Sequence, residues 1–492
     1  MSRFVSGLLK EYLMYVLIFL IASISFYFYS TVRFPLATSD DALNVLMAHY
    51  YSLPHDVYCW GQDRGGTLIP LMAQVFIKLF NSSAVWAVSL ANYLILLVGY
   101  FSFASFFKSW KYKIFFALLW FFPFQRFVDL LRFPIGLEYS LLALILFVLF
   151  RLLVANDSSL SLKRGYLMLI FMLMVLSLWV SDLSIVNFVV LFFVLFLNYR
   201  KSNLKKYILG VGSSFLILSS AMIIYLKSFA FVKTGNYLSL NNWYDIADAF
   251  AIVVKAFRHA IMMEWGEHLV SVGILSFFLF FISYFIFLCR GGRYKTVAGI
   301  WLLKYFVLDL IVVLFVLFIA HWVLMNSMGR WYFVSVYISL SMAILLSMEY
   351  FEVNAQLSKL VKGTFILYLI IACGSPIYTL QFNGSKSLRP AMNVAGDFKR
   401  LAPCGVIGDY WNSYIIAAPY PDLICATPHD ECDVRNIDLV DSVFAKPSLY
   451  LIRDNWMPIF PDTVRTLGRS LLRRGDPFEL SGCKVCKYEV VK

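Results

Sequence analysis

The sequence predicts an α-helical polytopic membrane protein of about eleven transmembrane helices, closed by a small α/β domain on the extracytoplasmic side. Three observations predict it. Of 492 residues, 61% are hydrophobic and only 14% charged, whereas soluble domains run nearer a quarter charged. Many uncharged runs reach about 18 residues or more, enough to cross a bilayer as a helix. From Gln381 onward the character changes: charges, prolines and five of the eight cysteines appear, and no further run is long enough to span. The expected organisation is a membrane domain over residues 1–380, whose first extracytoplasmic loop covers about 31–83, and a soluble extracytoplasmic domain over 381–492.

The net charge of +13 reports topology rather than a nucleic-acid partner. Its basic residues cluster in short loops between apolar runs: Lys108, Lys111 and Lys113, then Lys163 and Arg164, then Arg200, Lys201, Lys205 and Lys206, then Arg290, Arg293 and Lys295. That distribution marks those loops as cytoplasmic. The first apolar run is too long for a signal-peptide core and no small-residue cleavage site follows it. Arg3 and Lys10 precede it, which keeps the N-terminus in the cytoplasm.

With the N-terminus inside, the spans alternate consistently. Span one is Tyr12 to Ser30, and the polar loop after it lies outside. Thr67 to Phe80 reads as an interfacial helix, bounded by Asn81-Ser82-Ser83. Span two is Ala84 to Phe107, span three the short Ile114 to Phe124, and span four about Ile135 to Ala155. Spans five and six, Tyr166 to Val180 and Leu183 to Leu197, are joined by Ser181-Asp182, which allows only a hairpin. Span seven, Tyr207 to Tyr225, leads into a long outer loop, Lys227 to His268. Spans eight to eleven follow at Leu269 to Leu288, Trp301 to His321, Trp331 to Tyr350 and Phe365 to Leu380. In the tail, Cys404 to Gly408, Asp422 to Thr427 and Ser448 to Arg453 read as strands, and Arg435 to Phe444 and Thr463 to Arg474 as helices. Gly475-Asp476-Pro477 then turns the chain into a closing hairpin that holds Cys483 and Cys486. Alternating helices and strands predict a small α/β domain.

Outside the cytoplasm disulfides persist, so Cys404, Cys425, Cys432, Cys483 and Cys486 are candidates for one or two bonds, with Cys59 available to even the count. A zinc site from these thiols and His429 is the sharper alternative, but the spacing matches no standard zinc pattern.

The chemistry concentrates in Arg33 to Pro70, where Asp40 and Asp41 stand side by side. Thr38-Ser39-Asp40-Asp41 fits a helix start, with Thr38 as cap and Asp41 three residues on, and carboxylates there suit the positive end of the helix dipole. A carboxylate held in a partly dry cleft also serves as a general base towards a hydroxyl group. His49, His55 and Asp56 read as ordinary loop residues. Arg64, Arg126, Arg132, Arg258 and Arg330 lie on the outer side, where basic residues are less expected. Each alone reads as an interface anchor; together they are candidates for binding a phosphate, because the arginine fork matches its geometry. Arg330, at the mouth of a span, is the preferred ligand. Trp60 is the candidate for stacking on a sugar ring. Lys304 and Asp309, within span nine, are assigned no role.

These features together resemble the GT-C glycosyltransferases, a superfamily that includes the protein O-mannosyltransferases, the lipid A aminoarabinose transferases and the prophage-encoded O-antigen glucosyltransferases. The residues that carry the resemblance are Ser39-Asp40-Asp41-Ala42, Trp60-Gly61-Gln62-Asp63-Arg64-Gly65-Gly66 with Ile69-Pro70, and Gly329-Arg330-Trp331-Tyr332. The tail adds Asp409-Tyr410-Trp411 and Gly475-Asp476-Pro477. The layout covers the whole chain, while the motifs are short and the acidic pair is the diagnostic one. The family more often has Asp-Glu where this chain has Asp40-Asp41.

The resemblance implies a bacterial inner-membrane enzyme that moves a sugar from a polyprenyl-phosphate carrier to a hydroxyl of a surface glycan or lipid-linked acceptor. Asp40 would be the base and Asp41 an orienting carboxylate, and the anomeric centre would invert. Some relatives use a divalent metal such as Mg or Mn, for which Asp40 and Asp41 would be the ligands, and others use none. An O-antigen ligase or polymerase and a lipid-linked sugar flippase are the competing functions. A transporter places charge near the bilayer midplane and shows internal repeats, whereas this chain places its polar groups at the outer ends of spans.

Overall fold

In lipid a backbone must satisfy its own hydrogen bonds, so long apolar runs become helices. The structure is a computed structural model that describes the chain apart from residues 1, 34–37, 133, 155–159, 200–203, 231–238, 262–292, 295–299, 353–358, 360–362, 364, 368, 371–373, 375–391 and 492. Its larger helices are α1 (Ser2–Tyr29), α2 (Ser39–Tyr50), α3 (Leu68–Phe80), α4 (Ala84–Ala104), α5 (Trp110–Phe121), α6 (Pro134–Val154) and α7 (Leu160–Val180). They continue with α8 (Ser184–Asn198), α9 (Leu204–Lys227), α10 (Trp243–Ile261), α11 (Ile300–Ile319), α12 (Val334–Tyr350), α13 (Tyr410–Ala417) and α14 (Ile437–Phe444). Among the described residues seven helical segments are long and apolar enough to cross a membrane. They lie in α1, α4, α6, α7, α9 and α11, and in α12 together with the turn before it.

The third and sixth expected spans are shorter than a bilayer crossing. Helix α5 has 12 residues and α8 has 15, or about 18 and 22 Å at 1.5 Å per residue. The eighth expected span lies outside the described residues, and the eleventh falls largely outside them. The long loop after α9 contains α10, which the sequence reading passed over. Asn242 caps it, accepting from the backbone N–H groups of Tyr244 (2.8 Å) and Asp245 (3.0 Å), while Asp245 accepts from Asn242 N (3.0 Å). That reciprocal pairing is a capping box with Asn in place of Ser or Thr.

By internal contacts the chain divides into two compact units. The first is Met1–Ser25, Ile95–Tyr225 and Gly235–Thr379; the second is Phe26–Leu94, Leu226–Thr234 and Leu380–Lys492. In the first unit α6 packs on α7, and α11 on α8 and α12. Four of these helices converge on Asp309, which is wholly buried. Its Oδ1 accepts from Asn187 Nδ2 (2.8 Å) and Tyr305 OH (3.4 Å), and its Oδ2 from Ser339 Oγ (2.5 Å) and Tyr139 OH (3.3 Å). A buried carboxylate persists only with such donors around it.

The second unit joins the first loop to the C-terminal sheet. Strands β1 (Cys404–Gly408), β2 (Ile424–Pro428) and β3 (Leu449–Ile452) are parallel, and β4 (Thr463–Thr466), β5 (Arg469–Arg473), β6 (Phe478–Leu480) and β7 (Cys483–Val490) are antiparallel. The order is β2-β1-β3-β7-β5-β4, with β6 on β7. All residues of β1 and β2 are buried, as parallel strands covered on both faces are. Ile407, Leu451, Val443, Leu471 and Tyr488 form the centre of the core.

Two expectations for this domain are corrected. Thr463 to Arg474 is a hairpin, not a helix: Leu467 (φ 49°) and Gly468 (φ 72°) both turn left-handed, the geometry of a tight two-residue connection, and β-branched Thr463, Val464 and Thr466 favour strand. The six cysteines among the described residues are free thiols, so the expected bonds among Cys404, Cys425, Cys432, Cys483 and Cys486 are not formed. Cys483 and Cys486 stand three apart on β7, which sends their side chains to opposite faces. Cys404 is in register with Ile424 rather than Cys425, and Cys432 sits exposed in the turn Glu431–Asp433 while Cys425 is buried.

Candidate functional site around Asp40

The N-terminus of α2 is built as its sequence implies. Thr38 Oγ1 accepts from Asp41 N (3.4 Å), and Asp41 Oδ2 accepts from Thr38 N (2.8 Å) and Thr38 Oγ1 (2.9 Å). Asp41 is only 4% exposed. Its carboxylate is therefore the reciprocal half of a capping box, and the two adjacent acids have different surroundings.

Asp40 is partly exposed and faces the C-terminal domain within the second unit. Its Oδ1 accepts a 2.5 Å hydrogen bond from Tyr410 OH, and Ser39 Oγ donates to Tyr410 O. Tyr410 opens α13 directly after β1, where Asp409 caps the helix by accepting from Asn412 N (2.7 Å). Burial, and then the negative charge of Asp40, push the Tyr410 hydroxyl above its ordinary range. It keeps its proton and remains a donor.

Arg435 completes the group. Its guanidinium lies 5.0 Å from the centroid of the Tyr410 ring, and its backbone N–H donates to Tyr414 OH (2.9 Å). Gly61 makes room for it: a Cβ there would meet Arg435 Cδ at 2.8 Å, and φ is +75°. Both disfavour a side chain. The far end of α2 is also tied to the C-terminal domain, through His49 Nε2 with Asp422 Oδ1 (3.0 Å) and Tyr50 OH donating to Pro421 O (2.8 Å).

The loop after α2 is organised by Asp56, which is 2% exposed. It accepts from Ser52 N (2.7 Å) and Trp60 Nε1 (2.8 Å), and its Oδ1 lies 2.8 Å from His55 Nδ1. Trp60 is itself 6% exposed, so its ring supports this loop and is not an open stacking surface. Cys59 belongs to the same turn, and burial pushes its thiol up to about 12.

The candidate phosphate ligands are divided between the two units. Arg64 lies in the 59–66 turn of the second unit, with Nε 3.4 Å from Gln62 Oε1. Arg126, Arg132, Arg258 and Arg330 belong to the first unit. Arg132 is buried, with Nη2 3.0 Å from Asp129 Oδ1, so an ion pair occupies it. Arg258 is exposed on α10, and the side chains of Arg126 and Arg330 lie outside the described part.

The donor set does not fit a divalent metal. Asp41 is taken up by its cap and Asp40 holds a proton donor, and among the described residues no group of three or more His, Cys, Asp or Glu could hold an ion. Among the described residues no zinc cluster forms at His429 and the tail cysteines either.

Reasoning along the sequence missed Tyr410 and Arg435 as partners of the acidic loop. The Asp409-Tyr410-Trp411 segment was visible, but nothing local joins it to a residue 370 positions away.

No family model and no curated protein matches the sequence. Among solved structures, the chain is similar to ArnT from Cupriavidus metallidurans bound to undecaprenyl phosphate, at 12% identity and a TM-score of 0.45 over 96% of this chain and 97% of that one. It is also similar to the Archaeoglobus fulgidus oligosaccharyltransferase in complex with Zn and sulfate, at 13% identity and a TM-score of 0.43 over 89% of this chain and 68% of that one. A third is the oligosaccharyltransferase AglB of the same archaeon with an inhibitory peptide and a dolichol-phosphate, at 11% and 0.45 over 90% and 70%. At these identities and scores the likeness assigns no residue a role.

Proposed function

We propose that the protein is an inverting glycosyltransferase of the GT-C type. It moves a sugar from a polyprenyl-phosphate carrier to a hydroxyl of a surface glycan or lipid-linked acceptor on the extracytoplasmic face of a bacterial inner membrane. The observation that carries this is Asp40: a carboxylate at a capped helix start, next to the first span, oriented by Tyr410 OH at 2.5 Å with Arg435 beside that ring.

Asp40 takes the proton of the acceptor hydroxyl as that oxygen attacks the anomeric carbon. The new C–O bond forms on the face opposite the phosphate, the bond to the phosphate oxygen breaks, and the carrier leaves as its phosphate. A single displacement inverts the centre. Arg435 and Arg64 are the cations of this unit proposed to meet charge growing on the departing phosphate. Tyr410 aims the Asp40 carboxylate by donating to its Oδ1. Asp41 holds the helix start.

The test is product stereochemistry. Purified full-length protein is given a polyprenyl-phosphate-linked hexose and an oligosaccharide acceptor, and the anomeric configuration of the product is read by NMR. Inversion supports the proposal; retention removes it.

Asp309 favours a second function, a lipid-linked sugar transporter, since an ionisable group buried in a span marks a pathway by default. Its four neutral donors suit a fixed structural carboxylate equally well.

A further inference from the structure

Strands β2-β1-β3 of the C-terminal domain run parallel, with the first strand in the middle. The chain therefore leaves β1 towards one side for β2 and returns past it for β3. In open α/β sheets such a reversal opens a crevice beyond the carboxyl ends of the strands, and ligands bind there. In this domain those ends carry Asp409 and Tyr410 after β1, His429 after β2, and Asp454 to Trp456 after β3. Tyr410, bonded to Asp40, thus stands on the same sheet edge as His429 and Trp456.

A cleft of about 790 Å³ opens at that edge, within the size range of small-molecule sites, about 300–1,000 Å³. On one side His429 and Trp456 stack in parallel, with centroids 4.2 Å apart and planes 10° apart. The pair is held firmly. His429 N donates to Gly408 O (2.8 Å), Thr466 Oγ1 donates to His429 O (3.0 Å), and Trp456 Nε1 donates to Ile452 O (3.1 Å). Asp430, Glu431 and Arg465 also line the cleft, and all three are exposed.

We infer that this cleft binds the glycan part of the acceptor, away from the reacting hydroxyl. The inference rests on the glycosyltransferase proposal above and extends it to a second site. The chemistry of the walls selects a carbohydrate. A flat, rigid aromatic pair takes the C–H face of a pyranose. Planar carboxylates accept from vicinal hydroxyls, and a guanidinium donates to ring and hydroxyl oxygens. Both signs of charge line one cleft, which suits a polar uncharged chain better than a polyanion. An acceptor gripped here and reacting at Asp40 would be held at two places in the second unit, so its chain length would set affinity.

The experiment uses the full-length protein in detergent on an array of oligosaccharides of three to eight sugars, in neutral, amino-sugar and uronic-acid classes. The wild type should retain at least one class. Trp456→Ala should weaken retention at least tenfold. The paired exposed substitutions Asp430→Asn and Glu431→Gln, which leave packing alone, should do the same while melting as the wild type does. Retention of no class, or equal retention by the Asp430→Asn/Glu431→Gln protein, overturns the inference, as does capture of peptides with no glycan. Asp40→Asn separates the two proposals: it should retain glycan as the wild type does while losing transfer. If it keeps transfer, the catalytic proposal fails and the cleft is judged by the array alone.

Discussion

Tyr410→Phe removes one oxygen and keeps the ring, its packing and the Arg435 contact at 5.0 Å. What is lost is the 2.5 Å hydrogen bond to Asp40. Hydrogen bonds to charged groups contribute about 1.5–3 kcal/mol. At 1.36 kcal/mol per factor of ten, kcat should fall roughly ten- to a hundredfold. KM should change little, because the tyrosine orients the base rather than holding substrate. The assay is transfer from a polyprenyl-phosphate-linked sugar, with thermal melting in detergent as a control for folding. A merely structural tyrosine would lower the melting temperature and leave the kcat of the folded protein unchanged. Unchanged kcat refutes the assignment.

Asp41→Ala opens the capping box at Thr38, and loss of a cap costs about 1 kcal/mol; thermal melting should register it, while transfer falls far less than in Asp40→Asn. Gly61→Ala places a methyl group 2.8 Å from Arg435 Cδ at a φ of +75°, so Arg435 should shift and transfer drop, an effect that Gly61→Ser should repeat. Asp309→Ala removes the acceptor of Tyr139, Tyr305 and Ser339 and one of the two acceptors of Asn187, and leaving a buried donor unsatisfied costs about 1–3 kcal/mol; expression and melting should fall, whereas Asp309→Asn should recover much of the loss if the role is structural. Burial holds the His429 imidazole below its usual value of 6.5, so the unfolded chain takes up a proton there first. Stability from this group is present above about 6.5 and is lost as pH falls through the lowered folded value. Acid melting curves should flatten in His429→Gln and stay steep if the histidine is uninvolved.

The membrane helices were legible because lipid leaves a backbone no alternative to internal hydrogen bonding. The helix start at Thr38 was legible for a local reason: cap and partner are three residues apart, and Asp41 is used as that spacing implies. The same spacing could have exposed Arg132, whose partner Asp129 lies three residues earlier; grouping arginines by side of the membrane obscured it. Thr463 to Arg474 was misread because Arg-Ser-Leu-Leu-Arg carries no clear period, and the deciding feature is a leucine at positive φ beside Gly468. Asp56 was set aside as a loop residue, yet the fold of residues 52–67 turns on it. Half of the candidate site lay beyond local reading. Tyr410 and Arg435 meet the acidic loop only after the C-terminal sheet has formed, and no periodicity or spacing encodes a contact across 370 residues.

The central claim is that Asp40, and not its neighbour, is the base. The most direct measurement compares single-turnover transfer by wild type, Asp40→Asn and Asp41→Asn, each purified at full length and shown to melt cooperatively. Asp40→Asn should lose transfer by at least about a hundredfold, the scale of general-base catalysis, while Asp41→Asn keeps most of it. Transfer by Asp40→Asn at the wild-type rate would contradict the account.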